Sequence, residues 1–434
     1  MAGSKEKSAK VKKRGKSVNK KGIFVVVFFG GILLTSTIMF ALPPPPPTMS
    51  EDDMDSDITK TGTPMDNFPD DQRATFCGVE EAKSNSFVTE YKIPTACTQP
   101  LAIKVGPNGN VWFIETNTGS IAKFDPVSEQ FTEFENSFWP EQGRTMSWGM
   151  DYSPDGTLWY TDGTYDSIWK FNTITETFDG MSYPVSESGS LPQKLEIDGS
   201  NVFVNDFTGG KITIFDLVQN MDDVTYMSVL NPIPEAFTGD LTIDAENNLW
   251  YTNWVVDSTG FLVKLNLADY QNEVSIDDTE TTLEKYIHVF DFPHDLNTAN
   301  GLTTDQNGNV WIVDTSSSFF FRFDPTTQEF TKYITTEPPL SSYGNVTGVI
   351  KTPVSRPYWI DTDNSGNLVF NEQTSNQIAV LDVQKESLVE YMIPSKNPNW
   401  ADCDLDSSAN CGVAQIFGFD TTDGAIWFTE WAEN

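Results

Sequence analysis

One short unit returns seven times along this chain and leaves little freedom for the fold. Its copies are GNVWFIE (109–115), GTLWYTD (156–162), SNVFVND (200–206), NNLWYTN (247–253), GNVWIVD (308–314), GNLVFNE (366–372) and GAIWFTE (424–430). Each starts on turn residues, passes through an apolar residue and an aromatic, and ends in an acid or amide. All but the last are followed by a second strand-like run: IAKFDP (121–126), IWKFNT (168–173), ITIFDL (212–217), LVKLNL (262–267), FFRFDP (320–325) and IAVLDV (378–383). A third run often follows, as in FTEF (131–134), FTKY (330–333) and LVEYMIP (388–394), and an apolar run such as LAIKV (101–105) comes before. Four short strands per unit, with units 44 to 61 residues apart, is the pattern of a β-propeller. The expected fold is all-β, a seven-bladed β-propeller over residues 86–434.

The ring should close through its ends. FVTEYKIP (87–94) matches the outer-strand run LVEYMIP yet precedes the first full unit. It is expected to pair into blade seven and cover two raw sheet edges. Blade seven has no counterpart of IAKFDP, since only Trp431, Ala432, Glu433 and Asn434 follow Glu430; it is either three-stranded or cut short. Trp112, Trp159, Trp250, Trp311 and Trp427 are expected to pack between adjacent blades.

Charge divides the rest of the chain. The 434 residues carry 27 Lys+Arg and 62 Asp+Glu, a formal charge of −35, which argues against nucleic-acid binding through a basic surface. Residues 1–21 hold nine basic side chains and one acid, a charge of +8, leaving −43 beyond them. Residues 22–42 (GIFVVVFFGGILLTSTIMFAL) contain no charge and match the ~20 residues that cross a bilayer. A single transmembrane helix is expected there, with the basic segment in the cytoplasm and everything after Leu42 outside. A cleaved secretory signal is the alternative, but Met39-Phe40-Ala41 lacks the small residue expected three positions before a cut. Residues 43–85, opening on five prolines and then rich in acids, read as a stalk.

Four cysteines suit an oxidising exterior. Cys77 and Cys97 flank the closing segment and Cys403 and Cys411 bracket one loop, so pairings 77–97 and 403–411 are expected among the three that four cysteines allow. Asn345-Val346-Thr347 is a candidate glycosylation acceptor.

The turn Gly106-Pro107-Asn108-Gly109 joins the innermost strand to the next, so residues 101 and 115 lie together at the other end of the hairpin. The long connections 135–147, 335–357 and 394–415 emerge on that face, with Trp139, Tyr343, Tyr358, Trp359 and Trp400 in or beside them. A small molecule or cell-envelope partner is expected to bind there. The strand-end residues Glu115, Asp162, Asp206, Asn253, Asp314, Glu372 and Glu430 reach the same face. Converging acids (Glu115, Asp162, Asp206, Asp314, Glu372 and Glu430) would suit Mg²⁺ or Ca²⁺. Alternatively, each acid hydrogen-bonds backbone groups of the neighbouring connection, which sevenfold repetition favours. Of the two histidines, His288 falls in an outer-strand run and is expected to be partly buried, and His294 falls in a loop near the functional face.

The sequence GPNGNVWFIE followed by IAKFDP resembles the repeats of virginiamycin B lyase (streptogramin lyase) and is similar to SMP-30/gluconolactonase-like propellers, over roughly residues 86–434. The resemblance implies a magnesium-dependent elimination across an ester bond. It implies a His at the start of an innermost strand, in PHGI, and a Glu fourteen residues later, ending WFTE. The Glu half is present at Glu430 and Glu372; the residues fourteen positions before each strand end are Leu101, Trp148, Pro192, Gly239, Asn300, Tyr358 and Ile416. None is His, and an elimination requires a base. Two readings stand: a membrane-anchored extracellular propeller that binds a ligand or partner, or a divergent metal-dependent lyase or lactonase drawing on Glu430, Tyr358, Asn300 or His294.

Overall fold

Each unit folds into a small antiparallel sheet because its apolar and aromatic residues alternate with turns that only particular residues accommodate. The computed structural model describes residues 77–78 and 81–434, apart from 140–145, 186–188, 218–225, 234–235, 256–259, 270–285, 339, 345–353, 402, 404–410 and 423. In the first blade, β1 (Pro100–Val105), β2 (Val111–Glu115), β3 (Ser120–Asp125) and β4 (Gln130–Phe134) pair in that order. The turn between β1 and β2 places Gly109 at φ +81°, where a side chain is disfavoured. The same four-strand order recurs in the blades that begin with β10 (Pro192–Asp198), β14 (Phe237–Ile243), β18 (Ala299–Thr304) and β22 (Pro357–Thr362). In the second blade, which begins with β5 (Met150–Tyr152), the outer edge is split into two short strands that both pair with Ser167–Asn172.

Six blades are complete. The expectation of seven is corrected by the last copy, where β26 (Ile416–Thr422) and β27 (Ala425–Glu430) form a sheet of two strands. The seventh unit contributes only these two strands among the described residues. The transmembrane expectation for 22–42 lies outside the described residues, among which no helix is long and apolar enough to cross a membrane. Asn345 also lies outside them. Both expected disulfides are present, Cys77–Cys97 with Cα atoms 5.3 Å apart and Cys403–Cys411 with 5.8 Å.

First strands of neighbouring blades pack against one another and so form the innermost layer. Their approach is too close for side chains at some positions: a Cβ on Gly239 would lie 2.0 Å from the Ala299 carbonyl oxygen, and one on Gly418 would lie 2.4 Å from that of Leu101. The larger side chains fill the space between sheets. Trp112 packs with Tyr160, Trp169 and Phe171 of the second blade, and Trp159, Trp250 and Trp311 are buried likewise. Trp427 is only half-buried. His288 lies in the outer strand Ile287–Asp291, as its sequence suggests, but is exposed rather than partly buried, because the outermost strand has no neighbour beyond it.

The N-terminal segment closes the ring without forming a regular strand; its only ladder contact of its own is an isolated bridge between Ser84 and Thr89. Its position is nevertheless that of an outer strand. In blade six, Asn376 accepts from the Ile393 N–H through its backbone, from the Ala414 N–H through its side chain, and donates to the Ser395 carbonyl. Asn434 repeats all three: its backbone accepts from Ile93, its Oδ1 from the Thr98 N–H at 2.6 Å, and its Nδ2 donates to the Thr95 carbonyl. Glutamates mark the same equivalence. Glu390 holds Thr336, Glu133 holds Thr95, and Glu90 holds Ser395, each a residue just beyond the preceding outer strand. Replacing a buried residue that makes several hydrogen bonds leaves its partners unsatisfied. Asn434→Ala is therefore expected to lower stability by about 2 kcal/mol in urea unfolding, and Asn376→Ala by a similar amount; a neutral Asn434→Ala would show that the ring does not close through this residue.

Candidate functional site

The innermost strands line a central tunnel whose charged residues come from six blades. Lys104 of β1, Asp151 of β5, Lys194 and Glu196 of β10, Asp240 of β14, Asp361 of β22 and Asp420 of β26 form one interacting group. Lys104 Nζ lies 3.3 Å from Asp151 and 3.8 Å from Asp420. Asp151 and, less strongly, Asp420 hold the Lys104 ammonium well above the ordinary lysine range, against the effect of its burial. Lys194 sits 3.4 Å from Asp240 and 2.8 Å from the centre of the Trp359 ring. Burial lowers the Lys194 pKa to about 8, and burial raises that of Asp240 to about 6, even with the two facing each other. Glu196 is pushed well above the usual carboxylate range, first by burial and then by Asp151.

These carboxylates have structural work between blades. Asp420 accepts from the Val105 N–H at 2.7 Å, Asp151 from Ile197 at 2.9 Å, Glu196 from Ile243 at 3.1 Å and Asp240 from Leu302 at 2.9 Å. Each bond runs from one blade's innermost strand to the next. The innermost edge of a propeller blade otherwise exposes unpaired amides, and a buried amide without a partner is costly.

Aromatic side chains fill one end of the tunnel. Trp148, Tyr358 and Phe417 form a triangle with ring centres 5.1 to 5.8 Å apart, and Trp431 and Trp400 extend it. All five are buried. Trp148 and Tyr358 occupy positions fourteen residues before a strand-end acid. Tyr358 and Trp359 belong to β22 rather than to a loop, and Trp139, Tyr343 and Trp400 are buried rather than displayed. The expected set of loop aromatics is thus core packing, since large rings at the ends of connections fold back over the sheets.

The strand-end acids serve their own blades. Asp162 accepts from the Thr164 and Tyr165 amides and from Trp169 Nε1. Asp314 accepts from Thr298, Ser316 and Ser317, Asp206 from Thr213, and Glu115 from Thr118. Glu372 is buried in its own sheet, and Glu430 is half-buried at the end of β27. Among the described residues no three His, Cys, Asp or Glu are grouped to hold a metal ion. The acids Glu115, Asp162, Asp206, Asp314, Glu372 and Glu430 are thus spread one to a blade rather than grouped around a site for Mg²⁺ or Ca²⁺ among the described residues. The four candidate catalytic residues are also apart. Tyr358 lies in the aromatic plug, Asn300 is buried in β18, His294 is exposed, and Glu430 ends β27, and no hydrogen bond is found between any two of them. Sequence reading missed the tunnel charges because MDY, KLEID, GDLTI, WIDT and GFDTT share no common word.

Six four- or five-stranded sheets around a charged tunnel define a β-propeller. Among solved structures it is a virginiamycin B lyase-like propeller. It is similar to a streptogramin B lyase structure at 20% identity, with a TM-score of 0.58 over 79% of this chain and 94% of that one. It is similar to selenomethionine-substituted virginiamycin B lyase from Staphylococcus aureus at 18% identity and a TM-score of 0.58, over 78% and 94%. A catalytically inactive virginiamycin B lyase from the same organism, with quinupristin, matches at 20% identity and 0.56, over 81% and 97%. No family model matches the chain, and no curated protein matches its sequence. At such identities the likeness is one of fold.

Burial also gives the fold a distinctive pH dependence. Desolvation, followed by Glu133 and Glu390 respectively, raises Glu115 and Glu372 to about 8. Folded, these groups keep protons that the unfolded chain releases above the ordinary Glu value. Their stabilising contribution is complete below pH 4.5 and is lost as pH rises towards 8. Urea unfolding is expected to show stability falling between pH 5 and pH 8 by about 3 kcal/mol for each of the two groups. Glu372→Gln, which cannot ionise, should flatten that slope; an unchanged slope would show that Glu372 is ionised in the folded protein.

Proposed function

We propose that this chain is a membrane-anchored, extracellular propeller that binds a small molecule or cell-envelope partner at its loop-rich face without turning it over. The observation that carries the binding reading is the aromatic plug. Where the lyase resemblance implies a base at the start of an innermost strand, this chain has Trp148 and Tyr358, buried and packed on Phe417. Burial pushes the Tyr358 hydroxyl far above neutrality, with Asp240 adding to the effect. It cannot take a proton near pH 7, and the packed rings leave no room beside it for an ester.

Membrane anchorage rests on the uncharged run 22–42 behind a +8 segment. The two disulfides favour an oxidising compartment, which agrees with an exported propeller. The fold likeness to the lyases supports a ligand-binding scaffold and leaves the ligand's identity open to screening. Two measurements test the proposal. After alkaline carbonate extraction the full chain is expected to stay in the membrane fraction, and deletion of residues 22–42 to release it. A cyclic depsipeptide of the streptogramin B class, incubated with the protein and Mg²⁺, is expected to remain cyclic; ring opening that Mg²⁺ stimulates and Glu430→Gln abolishes would replace the binding reading with the lyase one.

A further inference from the structure

Lys194 lies deeper in the tunnel than Lys104 and in different chemical surroundings. Its side chain is 4% exposed, against 31% for Lys104. Glu196, two residues further along β10, shares the more open level of Lys104, Asp151, Asp361 and Asp420. Solvent reaches that level from the side of the hairpin turns, while Trp148, Tyr358 and Phe417 close the other end.

The Lys194 nitrogen is enclosed but not held by hydrogen bonds. Among the described residues Nζ has no hydrogen-bond partner, although it is buried. Asp240 stands 3.4 Å away, and the Trp359 ring centre 2.8 Å away. Asp240 is fixed in place, because it accepts from the Leu241 N–H at 2.8 Å and from the Leu302 N–H of the next blade at 2.9 Å. An amine enclosed in this way loses its hydration, which lowers its affinity for a proton, here to about 8. The titratable and charged groups around it are Glu196 on its own strand, Asp240 on β14 and Asp361 and Tyr358 on β22, with Lys104, Asp151 and Asp420 beyond them. Lys104 supplies the contrast, since Asp151 and Asp420 keep it charged far above neutrality.

We propose that Lys194 captures small aldehydes covalently, as an imine, with the fixed carboxylate of Asp240 as proton partner and counterion. A desolvated lysine is a nucleophile at a pH where ordinary lysines are ammonium ions. The ammonium passes one proton to Asp240, and the freed nitrogen adds to the carbonyl carbon. The carbonyl oxygen receives that proton from Asp240 and a second from the nitrogen, and leaves as water. A C=N bond replaces the C=O bond, the nitrogen keeps one proton, and its positive charge remains opposite Asp240. Nothing is oxidised or reduced. Backbone crowding sets the size of the aldehyde. A Cβ on Gly149 would lie 2.7 Å from the Gln193 carbonyl oxygen and one on Gly301 2.6 Å from that of Tyr358, so strands beside Lys194 stand too close for a bulky reagent to pass. The site is on the turn side of the aromatic plug, away from the loop-rich face, and does not depend on the ligand reading above.

The probe is formaldehyde with cyanoborohydride, which reduces the imine to a stable methylated amine, applied to the disulfide-intact full chain at pH 7.5 and mapped by peptide mass spectrometry. At that pH about a quarter of a lysine with a pKa of about 8 is neutral, against about one in a thousand of an ordinary lysine. Lys194 is expected to be methylated at least about tenfold faster than Lys104, although Lys104 is the more exposed. Its rate should level off above pH 8, whereas the rates of surface lysines keep rising. In concentrated urea, Lys194 and Lys104 should react alike. Lys194→Arg should lose the fast label and leave the other lysines unchanged; if that variant fails to fold, the comparisons within the unmodified sequence decide alone. Methylation of Lys104 ahead of Lys194, or an equal preference for Lys194 in urea, would overturn the proposal.

Discussion

Carboxylates that bridge one innermost strand to the next hold the centre of this molecule. Neighbouring blades of a propeller are separate sheets, so no ladder joins them, and amides at the inner edge must find partners elsewhere. Asp151, Glu196, Asp240 and Asp420 each reach across a junction to an N–H of the following blade. Grouping so many acids is electrostatically expensive. Lys104 and Lys194 offset part of that cost, and burial disfavours the charged form of Glu196. The close strand contacts at Gly239 and Gly418 follow from the same arrangement, since the bridges are short.

Much of the architecture was legible because it is written in repeated local words. The WFIE-type strands, the turns before them and the IAKFDP-type strands each read directly as pieces of a blade, and the likeness of FVTEYKIP to LVEYMIP located the ring closure. The irregular form of the closing segment was not legible, because FVTEYKIP carries the same alternation as the regular strand run LVEYMIP. The strand-end acids were legible as a set but not in their role. A sequence cannot say whether six similar acids face one another or their own turns; the hydrogen bonds of Asp162 and Asp314 run to their own turns. Conversely, the tunnel charges matter most and announce themselves least, since each lies in a differently worded strand.

The aromatic plug bears on function through what it displaces. A catalytic base needs both an accessible proton acceptor and space for a substrate above it. Trp148, Tyr358 and Phe417 remove the space, and the tyrosine offers no base near neutrality. Beneath them, Lys194 is sandwiched between Asp240 and Trp359. The tunnel thereby ties innermost strands of different blades together.

The seam at Asn434 joins residues far apart in sequence: Thr98 and Asn434 are 336 positions apart. Contacts of such long range are the last that a growing or translocating chain can make. Until Asn434 arrives, β1 lacks its neighbour β26, and the packing of Ile103 and Phe124 against Trp427 cannot form. The first blade is therefore sealed only after the rest of the ring has been made, and until then its apolar edge stays open.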